Sequence, residues 1–197
     1  MRPGMREGDA CALATQILHD MGMQRIWHQT LVRFGPDTLK TFKERITPDQ
    51  VLGERDIFFI DIGTVWDGHE GDAGATFVVG DDPEMAACAR AAQTLWHRVA
   101  ERWQGNGTDE PGLSGVALYD HAASLAEAMG WRLNLDIKGH RVSDFPHAIH
   151  RAGDLGDFDA PPASGLWILE IQIAHPTRAF GAFYEDLLSS PLPAARP

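Results

Sequence analysis

Apolar and polar residues alternate along the chain in two different patterns, which mark out helices and strands. Apolar residues recur at helical spacing in three segments and predict helices at 6–22, 83–103 and 114–129. Shorter apolar runs bounded by glycine, proline or aspartate predict strands or extended segments at 26–34, 57–66, 69–79, 131–138, 166–174 and 181–188. Elements in this order predict an α+β domain, with an antiparallel sheet covered by helices on one face.

The dipeptide Asp67-Gly68 lies between two of these apolar runs and predicts a two-residue hairpin turn. Such a turn fixes the register of the two strands, so that Asp72 lies opposite Gly63. Side chains alternate along a strand, and Asp61 therefore shares a face with Gly63. The two aspartates become diagonal neighbours with Cβ atoms roughly 7 Å apart. At that separation they can hold one or two cations between them.

Titratable residues interrupt apolar or glycine-rich stretches at five positions, where an isolated charge is costly. They are Asp61, Asp72, His140, Glu170 and Glu185. A buried carboxylate needs a partner or a metal ion, since burying it alone costs several kcal/mol. Four carboxylates and one imidazole cannot neutralise one another, whereas a pair of divalent cations would balance their charge. The pattern therefore favours a two-metal hydrolytic site.

Structural explanations stay open for single members of this set. An aspartate in a hairpin is commonly a surface or turn residue, and Glu170 could form a buried salt bridge with Arg132 or Arg178. The strand around Glu170 nevertheless places four large apolar residues on one face, and Ile168, Glu170 and Gln172 on the other. A polar face in so apolar a strand predicts that the sheet covers a polar pocket.

Composition narrows the class of protein. The chain has 197 residues, 44% of them hydrophobic, and a formal net charge of −11. We expect a single domain at 1–190 and a disordered tail at 191–197. The sequence contains no basic run of the kind that binds nucleic acid, and no apolar stretch of the kind found in signal peptides or membrane spans. With Cys11 and Cys88 far apart in sequence, these features predict a cytoplasmic protein.

At these residues the chain resembles the pita-bread metallopeptidases of peptidase family M24, which include methionine aminopeptidases, Xaa-Pro aminopeptidases, prolidases and creatinase. The resemblance extends over residues 3–190. The five titratable residues follow the family's ligand order of Asp, Asp, His, Glu and Glu, with Asp61 and Asp72 eleven positions apart and a glycine before His140. The resemblance implies the pita-bread fold, a curved antiparallel sheet with helices packed on its outer face.

The resemblance also implies how metal ions would be held. Asp61 would chelate one ion, while Asp72 and Glu185 would bridge two. His140 and Glu170 would complete the shell of the second ion. This ligand set, rich in oxygen with one nitrogen, favours Mn²⁺, with Co²⁺, Fe²⁺ and Zn²⁺ as alternatives.

Two residues have implied roles in catalysis by a metallopeptidase of this family. A hydroxide between the two ions would attack the scissile C–N bond, and Glu170 would act as general base toward that water. His147, seven positions after the ligand histidine, would hydrogen-bond the substrate carbonyl or the oxyanion.

The sequence departs from the family pattern where the substrate would bind. Phe42 and Lys43 stand where the family has a further catalytic histidine, and Asp136 and Phe183 replace the histidine and arginine of proline-cleaving members. These differences argue against specificity for Xaa-Pro peptides. His28, Phe42 and Phe183 are candidate substrate contacts, and the chain reads as a short form without the family's N-terminal domain.

Three functions remain under consideration. The first is an aminopeptidase or dipeptidase-like peptidase, and the second is a creatinase-like hydrolase or lyase of small C–N compounds. The third is a catalytically silent pita-bread binding module. A small peptide or small molecule is the expected partner, and apolar surface left by the short N-terminus predicts a possible homodimer.

Overall fold

The computed structural model describes residues 1–44, 50–105, 112–142 and 153–189. Within them the α-helices are α1 (Glu7–Asp20), α2 (Pro83–Gln104) and α3 (Gly115–Ala128). The strands are β1 (Arg25–Phe34), β2 (Asp56–Trp66), β3 (His69–Val79), β4 (Arg132–Leu133), β5 (His140–Arg141), β6 (Trp167–Ala174) and β7 (Gly181–Leu187). Short 3₁₀ helices cover Gly35–Leu39 and Leu155–Asp157. Every predicted helix is present, with its ends close to the predicted ones.

The strands form one curled antiparallel sheet, as the sequence predicts. Its strand order is β1-β2-β3-β7-β6-β4, and β5 pairs with β6 beside that path. The chain therefore builds one half of the sheet from β1, β2 and β3. The other half consists of β4 to β7, which follow α2 and α3 in the sequence.

Helices cover one face of each half of the sheet. Helix α1 packs against β1 and β2 in a cluster of Ala10, Ala14, Val32, Phe34, Leu52 and Phe58. Helices α2 and α3 pack over β6 and β7 in a larger cluster, to which β6 contributes Trp167, Leu169, Ile171 and Ile173. The alternate residues of β6 face the other side, as the sequence predicts. No helix in the described part of the chain has the length and apolarity that a membrane span requires.

Helices α2 and α3 each begin at a side-chain cap. The carboxylate of Asp82 accepts hydrogen bonds from the backbone N–H groups of Glu84 and Met85 at the start of α2. The hydroxyl of Ser114 accepts one from Ala117 N–H at the start of α3.

The predicted hairpin turn is present at Asp67 and Gly68. Their φ angles are 48° and 77°, the positive values that a type I′ turn requires. The register pairs Gly63 with Asp72, as predicted from the turn length. Asp61 and Asp72 therefore lie on the same face of the sheet.

The two halves of the sheet meet between β3 and β7, a junction we call the seam. Among the described residues, the seam has one registered backbone pair, Gly74 with Glu185. Beside it, the hydroxyl of Thr76 donates to Phe183 O at 2.8 Å and accepts from Phe183 N–H at 2.7 Å. A side chain thus replaces a backbone contact at this junction.

The segment predicted as extended at 131–138 forms a strand only at its start. After Leu133 the backbone N–H of Asp136 donates to the side-chain oxygen of Asn134 at 3.0 Å, and this local bond turns the chain away from β6. Pairing with β6 resumes at His140. The predicted tail at 191–197 lies outside the described residues.

Candidate metal centre

A cavity of about 470 Å³ opens on the face of the sheet opposite α2 and α3. All five residues predicted as metal ligands lie on its wall. The lining residues are Trp27, His28, Gln29, Leu31, Phe42, Asp61, Asp72, His140, Asp154, Glu170 and Glu185.

The predicted ligands come from both sides of the seam. Asp61 and Asp72 project from β2 and β3, while His140 begins β5. Glu170 and Glu185 are directly paired neighbours on β6 and β7. Residues far apart in sequence therefore converge because the seam brings β3 beside β7.

Asp72 lies between two histidines. Its Oδ2 is 2.8 Å from Nε2 of His140, and its Oδ1 is 3.2 Å from Nε2 of His28. The same nitrogen of His28 lies 3.4 Å from Oδ1 of Asp61. Asp61 and Asp72 are both buried, so solvent ions screen these contacts less than they would screen contacts at the surface.

The position of His28 depends on irregular pairing in β1. The register between β1 and β2 shifts on both sides of His28, between Ile26 and His28 and again between His28 and Leu31. Such bulges re-aim side chains. His28 and Leu31 consequently both line the cavity, although regular alternation would place them on opposite faces.

Gly63 provides the space that the His28 ring occupies. A Cβ added to Gly63 would lie 1.9 Å from Cδ2 and 2.2 Å from Nε2 of His28. No real side chain fits at that distance. The imidazole ring therefore lies over Gly63, between Asp61 and Asp72.

Glu170 is held by backbone and side-chain contacts. The N–H of Gly139 donates to Glu170 Oε2 at 2.8 Å, and the hydroxyl of Tyr119 donates to the main-chain oxygen of Glu170 at 2.8 Å. Gly139 has a φ of 68° and lies so close to Ile168 O that a Cβ would be 2.3 Å away. Glycine before His140 thus lets the chain present both an N–H donor and an imidazole to the cavity.

Burial raises the pKa of three of the four carboxyl groups. Desolvation raises the pKa of Asp61 to about 7, even though the charge of His28 opposes it. Desolvation and the neighbouring Asp61 hold the pKa of Glu185 well above its usual range. The pKa of Glu170 is raised for the same first reason, despite the charge of His140. Ionising all of them together is therefore unfavourable without cations.

Asp72 and the two histidines behave in the opposite way. Burial alone would raise the pKa of Asp72, but the hydrogen bonds from His140 and His28 outweigh it and lower that pKa. Burial likewise works against charged histidines, yet their bonds to Asp72 raise the pKa of His28 and of His140 to about 9. Protonated His28 and His140 therefore offset part of the negative charge of the carboxylates.

The donor atoms fit divalent metal ions. Ligand atoms of His28, Asp61 and Asp72 lie within 4.8 Å of one another, as do those of Asp72, His140 and Glu185. Among the described residues, Oδ1 of Asp61 and Oε1 of Glu185 are buried without a hydrogen-bond partner. Buried carboxylate oxygens in this state are what a cation would satisfy.

The residues predicted to affect substrate binding or catalysis, apart from the metal ligands, lie in different places. Phe42 is 63% exposed and lines the mouth of the cavity, whereas Phe183 is buried against Phe59 in a small neighbouring pocket. Asp136 is exposed and does not line the cavity. His147 lies outside the described residues.

The salt-bridge alternative for Glu170 is wrong within the described part of the chain. Arg178 pairs with Asp82 and Glu84, at the start of α2. Arg132 donates to the main-chain oxygen of His175. Gln172, beside Glu170 on the polar face of β6, instead donates to the carbonyls of Thr38 and Lys40.

Sequence reasoning missed several lining residues. Trp27 packs edge-on against His28 and His140, with ring centroids 4.4 and 5.4 Å away, and its indole N–H donates to Gly71 O. Asp154 enters the cavity from the loop before the second 3₁₀ helix. A tryptophan directly before a histidine in a strand gives no signal of a shared wall, because regular alternation would separate them.

Comparison with known proteins agrees with this geometry. The profile of metallopeptidase family M24 matches residues 1–188. No curated protein sequence is significantly similar to the chain.

Solved structures of three peptidases share the fold. An X-Pro aminopeptidase from Thermotoga maritima has a TM-score of 0.71 at 19% identity, with 99% of this chain and 56% of that one covered. A prolidase from Pyrococcus furiosus has a TM-score of 0.70 at 17% identity, with 96% and 55% covered. A methionine aminopeptidase from Thermotoga maritima has a TM-score of 0.66 at 18% identity, with 93% and 81% covered. The chain therefore has the expected pita-bread fold and spans little more than half of the first two relatives.

Proposed function

Because this chain belongs to metallopeptidase family M24, we propose that it is a metal-dependent hydrolase that cleaves a C–N bond, as an aminopeptidase or a dipeptidase-like peptidase. The observation that carries the proposal is the convergence on one cavity of the four carboxylates predicted as ligands, together with Asp154 and two histidines. The family's dependence on a dinuclear metal centre supports it.

The charge of the centre supports two divalent ions. Ionised Asp61, Asp72, Glu170 and Glu185 carry four negative charges, which two divalent ions balance when both histidines are neutral. We propose Mn²⁺, with Co²⁺, Fe²⁺ and Zn²⁺ as alternatives, because oxygen donors dominate the set.

The chain's own residues would divide the work of the reaction. When bound, two such ions would polarise the scissile carbonyl and supply a hydroxide nucleophile near neutral pH. Asp61 would hold one ion, His140 and Glu170 the other, and Asp72 and Glu185 both. The hydrogen bond from Gly139 N–H fixes Oε2 of Glu170, which leaves Oε1 to accept a proton from water.

The cavity wall bears on the class of substrate. Asp136 lies away from the cavity and Phe183 is buried against Phe59, so neither supplies the polar contacts expected of proline-cleaving members. We propose short peptides without a requirement for proline. A creatinase-like reaction on a small amide or guanidino compound is the second candidate.

Metal content per chain tests the proposal first. Protein purified without chelator and then loaded with Mn²⁺ should hold about two ions per chain, measured by plasma mass spectrometry. Asp72→Asn and Glu185→Gln should each lose at least one ion. His69→Ala, in the exposed hairpin end, should bind metal as the wild type does.

A substrate screen completes the test. Dipeptides, tripeptides, amides and guanidino compounds should be compared on the loaded enzyme and on Asp72→Asn. Turnover of peptides that is lost in Asp72→Asn supports the peptidase, whereas turnover of guanidino compounds alone supports the second candidate. Metal-free protein after loading, or full metal content in Asp72→Asn, would contradict the metal assignment.

A further inference from the structure

We propose that His28 is a sixth metal ligand, which coordinates through Nε2 the ion held by Asp61 and Asp72. The inference rests on the proposed two-metal function and assigns a residue outside the ligand set of that proposal. It gives each ion one imidazole, with Asp72 between them.

His28 and His140 have matching hydrogen bonds around Asp72. In each, Nδ1 donates to the main-chain oxygen of the next residue, at 2.9 Å for Gln29 and 3.1 Å for Arg141. A carbonyl oxygen can only accept, so Nδ1 carries the proton and Nε2 is the nitrogen that faces the carboxylates. This is how a ligating histidine is usually oriented by its second nitrogen.

The distances at His28 suit a shared ion. A metal ion with bonds of about 2.1 Å separates neighbouring donors by about 3.0 Å in octahedral and about 3.4 Å in tetrahedral geometry. Nε2 of His28 lies 3.2 Å from Asp72 Oδ1 and 3.4 Å from Asp61 Oδ1. One ion can therefore contact all three atoms with little movement of the side chains.

Two features of the backbone support this position of the ring. Register shifts on either side of His28 turn its side chain into the cavity, and Gly63 leaves room for the imidazole beneath it. Trp27 closes the outer side by packing edge-on against the rings of His28 and His140. The ring is thus confined before any ion binds, which lowers the cost of ordering it.

A nitrogen ligand at this ion changes which metals the centre prefers. An all-oxygen shell suits Mn²⁺, whereas an added imidazole shifts preference toward Co²⁺, Fe²⁺ and Zn²⁺. We therefore expect a larger ratio of Co²⁺ to Mn²⁺ affinity in the wild type than in a His28 variant.

Metal titrations of His28→Ala and His28→Gln test the inference. In calorimetry with Mn²⁺ and Co²⁺, both variants should retain one tight ion and bind the second at least about 100-fold more weakly. Glutamine can still donate a hydrogen bond to Asp72, so it separates a ligand from a mere hydrogen-bond donor. With two Co²⁺ ions bound per chain, X-ray absorption should count one imidazole per ion in the wild type and half as many in His28→Ala, with His69→Ala as the matched control.

Three outcomes of these measurements would contradict the ligand role of His28. Full binding of two ions by His28→Ala, or rescue by His28→Gln, would overturn the inference and leave the proposed function intact. Loss of turnover with both ions retained would make His28 a catalytic or substrate-binding residue instead. A wild type that holds no tight metal would overturn the proposed function and the ligand role together.

Discussion

Replacement of Gly63 by alanine should remove His28 from the metal centre without unfolding the protein. The new Cβ would lie 1.9 Å from Cδ2 of His28, whereas carbon atoms in contact are about 3.5–4.0 Å apart. The ring must therefore retreat by roughly 1.5–2 Å. That movement separates Nε2 from both aspartates, which now lie 3.2 and 3.4 Å away.

The energetic cost of this change follows from two opposing contributions. Alanine is favoured over glycine within a strand by about 0.5–1 kcal/mol. Loss of the charge-assisted bond between His28 and Asp72 costs about 1.5–3 kcal/mol. In metal-free protein Gly63→Ala should therefore destabilise the wild type but stabilise His28→Ala, in which the space is vacant. The coupling free energy should be about 1.5–3 kcal/mol.

Urea denaturation of the four proteins of this cycle, in chelator at pH 7, measures the coupling. The matched control is Gly71→Ala in β3, where the nearest atoms to a new Cβ are 3.7 and 3.9 Å away. This control should be neutral or slightly stabilising in both backgrounds. Equal effects of Gly63→Ala with and without His28 would refute the steric argument. Full metal binding in Gly63→Ala together with the expected coupling would instead contradict the ligand role of His28.

Three further predictions concern stability. Burial raises the pKa of the Glu7 carboxyl to about 7, so the stability that the protonated carboxyl contributes is complete below pH 4.5 and is lost as the pH rises through 7. In urea denaturation, the free energy of unfolding of Glu7→Gln should therefore rise relative to that of the wild type by up to about 3 kcal/mol between pH 5 and 8.5. Parallel pH profiles of the two proteins would contradict this. Asp82→Ala should lose about 1–2 kcal/mol of unfolding free energy at pH 7 because it removes the cap of α2, whereas Asp81→Ala at an exposed position should not. Arg178 holds the pKa of Asp82 below its usual range, so the difference in unfolding free energy between the wild type and Asp82→Ala should shrink as the pH falls below about 4. Mn²⁺ at about 100 times its Kd should raise the thermal unfolding midpoint by about 5–10 °C, a shift that chelator should reverse and Asp72→Asn should lack.

Much of the fold follows from local patterns that the structure preserves. The hairpin register depends on two residues, Asp67 and Gly68, whose positive φ angles the sequence predicts. Once this register is known, Asp61 and Asp72 must share a face. The predicted polar face of β6 likewise places Glu170 in the cavity, because side chains alternate along a regular strand.

What the sequence could not predict depends on irregular or distant contacts. His28 reaches the aspartates only because β1 shifts register on both sides of it, and no alternation pattern contains such a shift. The extended segment after Leu133 ends early because Asn134 bonds its own backbone neighbour. Tyr119 supports Glu170 from α3, a contact between residues 51 positions apart.

The seam gives bound metal a mechanical role besides the chemical one. Helix α1 packs on β1 and β2, whereas α2 packs on β6 and β7 and also contacts Ile57 of β2 and Val78 of β3 across the seam. Among the described residues, the seam itself has one registered backbone pair and the Thr76 hydroxyl. Asp61 and Asp72 lie on one side of it and Glu170 and Glu185 on the other. An ion shared between these carboxylates would therefore cross-link β2 and β3 to β6 and β7, and amide hydrogen exchange along β3 and β7 should slow on metal binding more than exchange within either helical cluster.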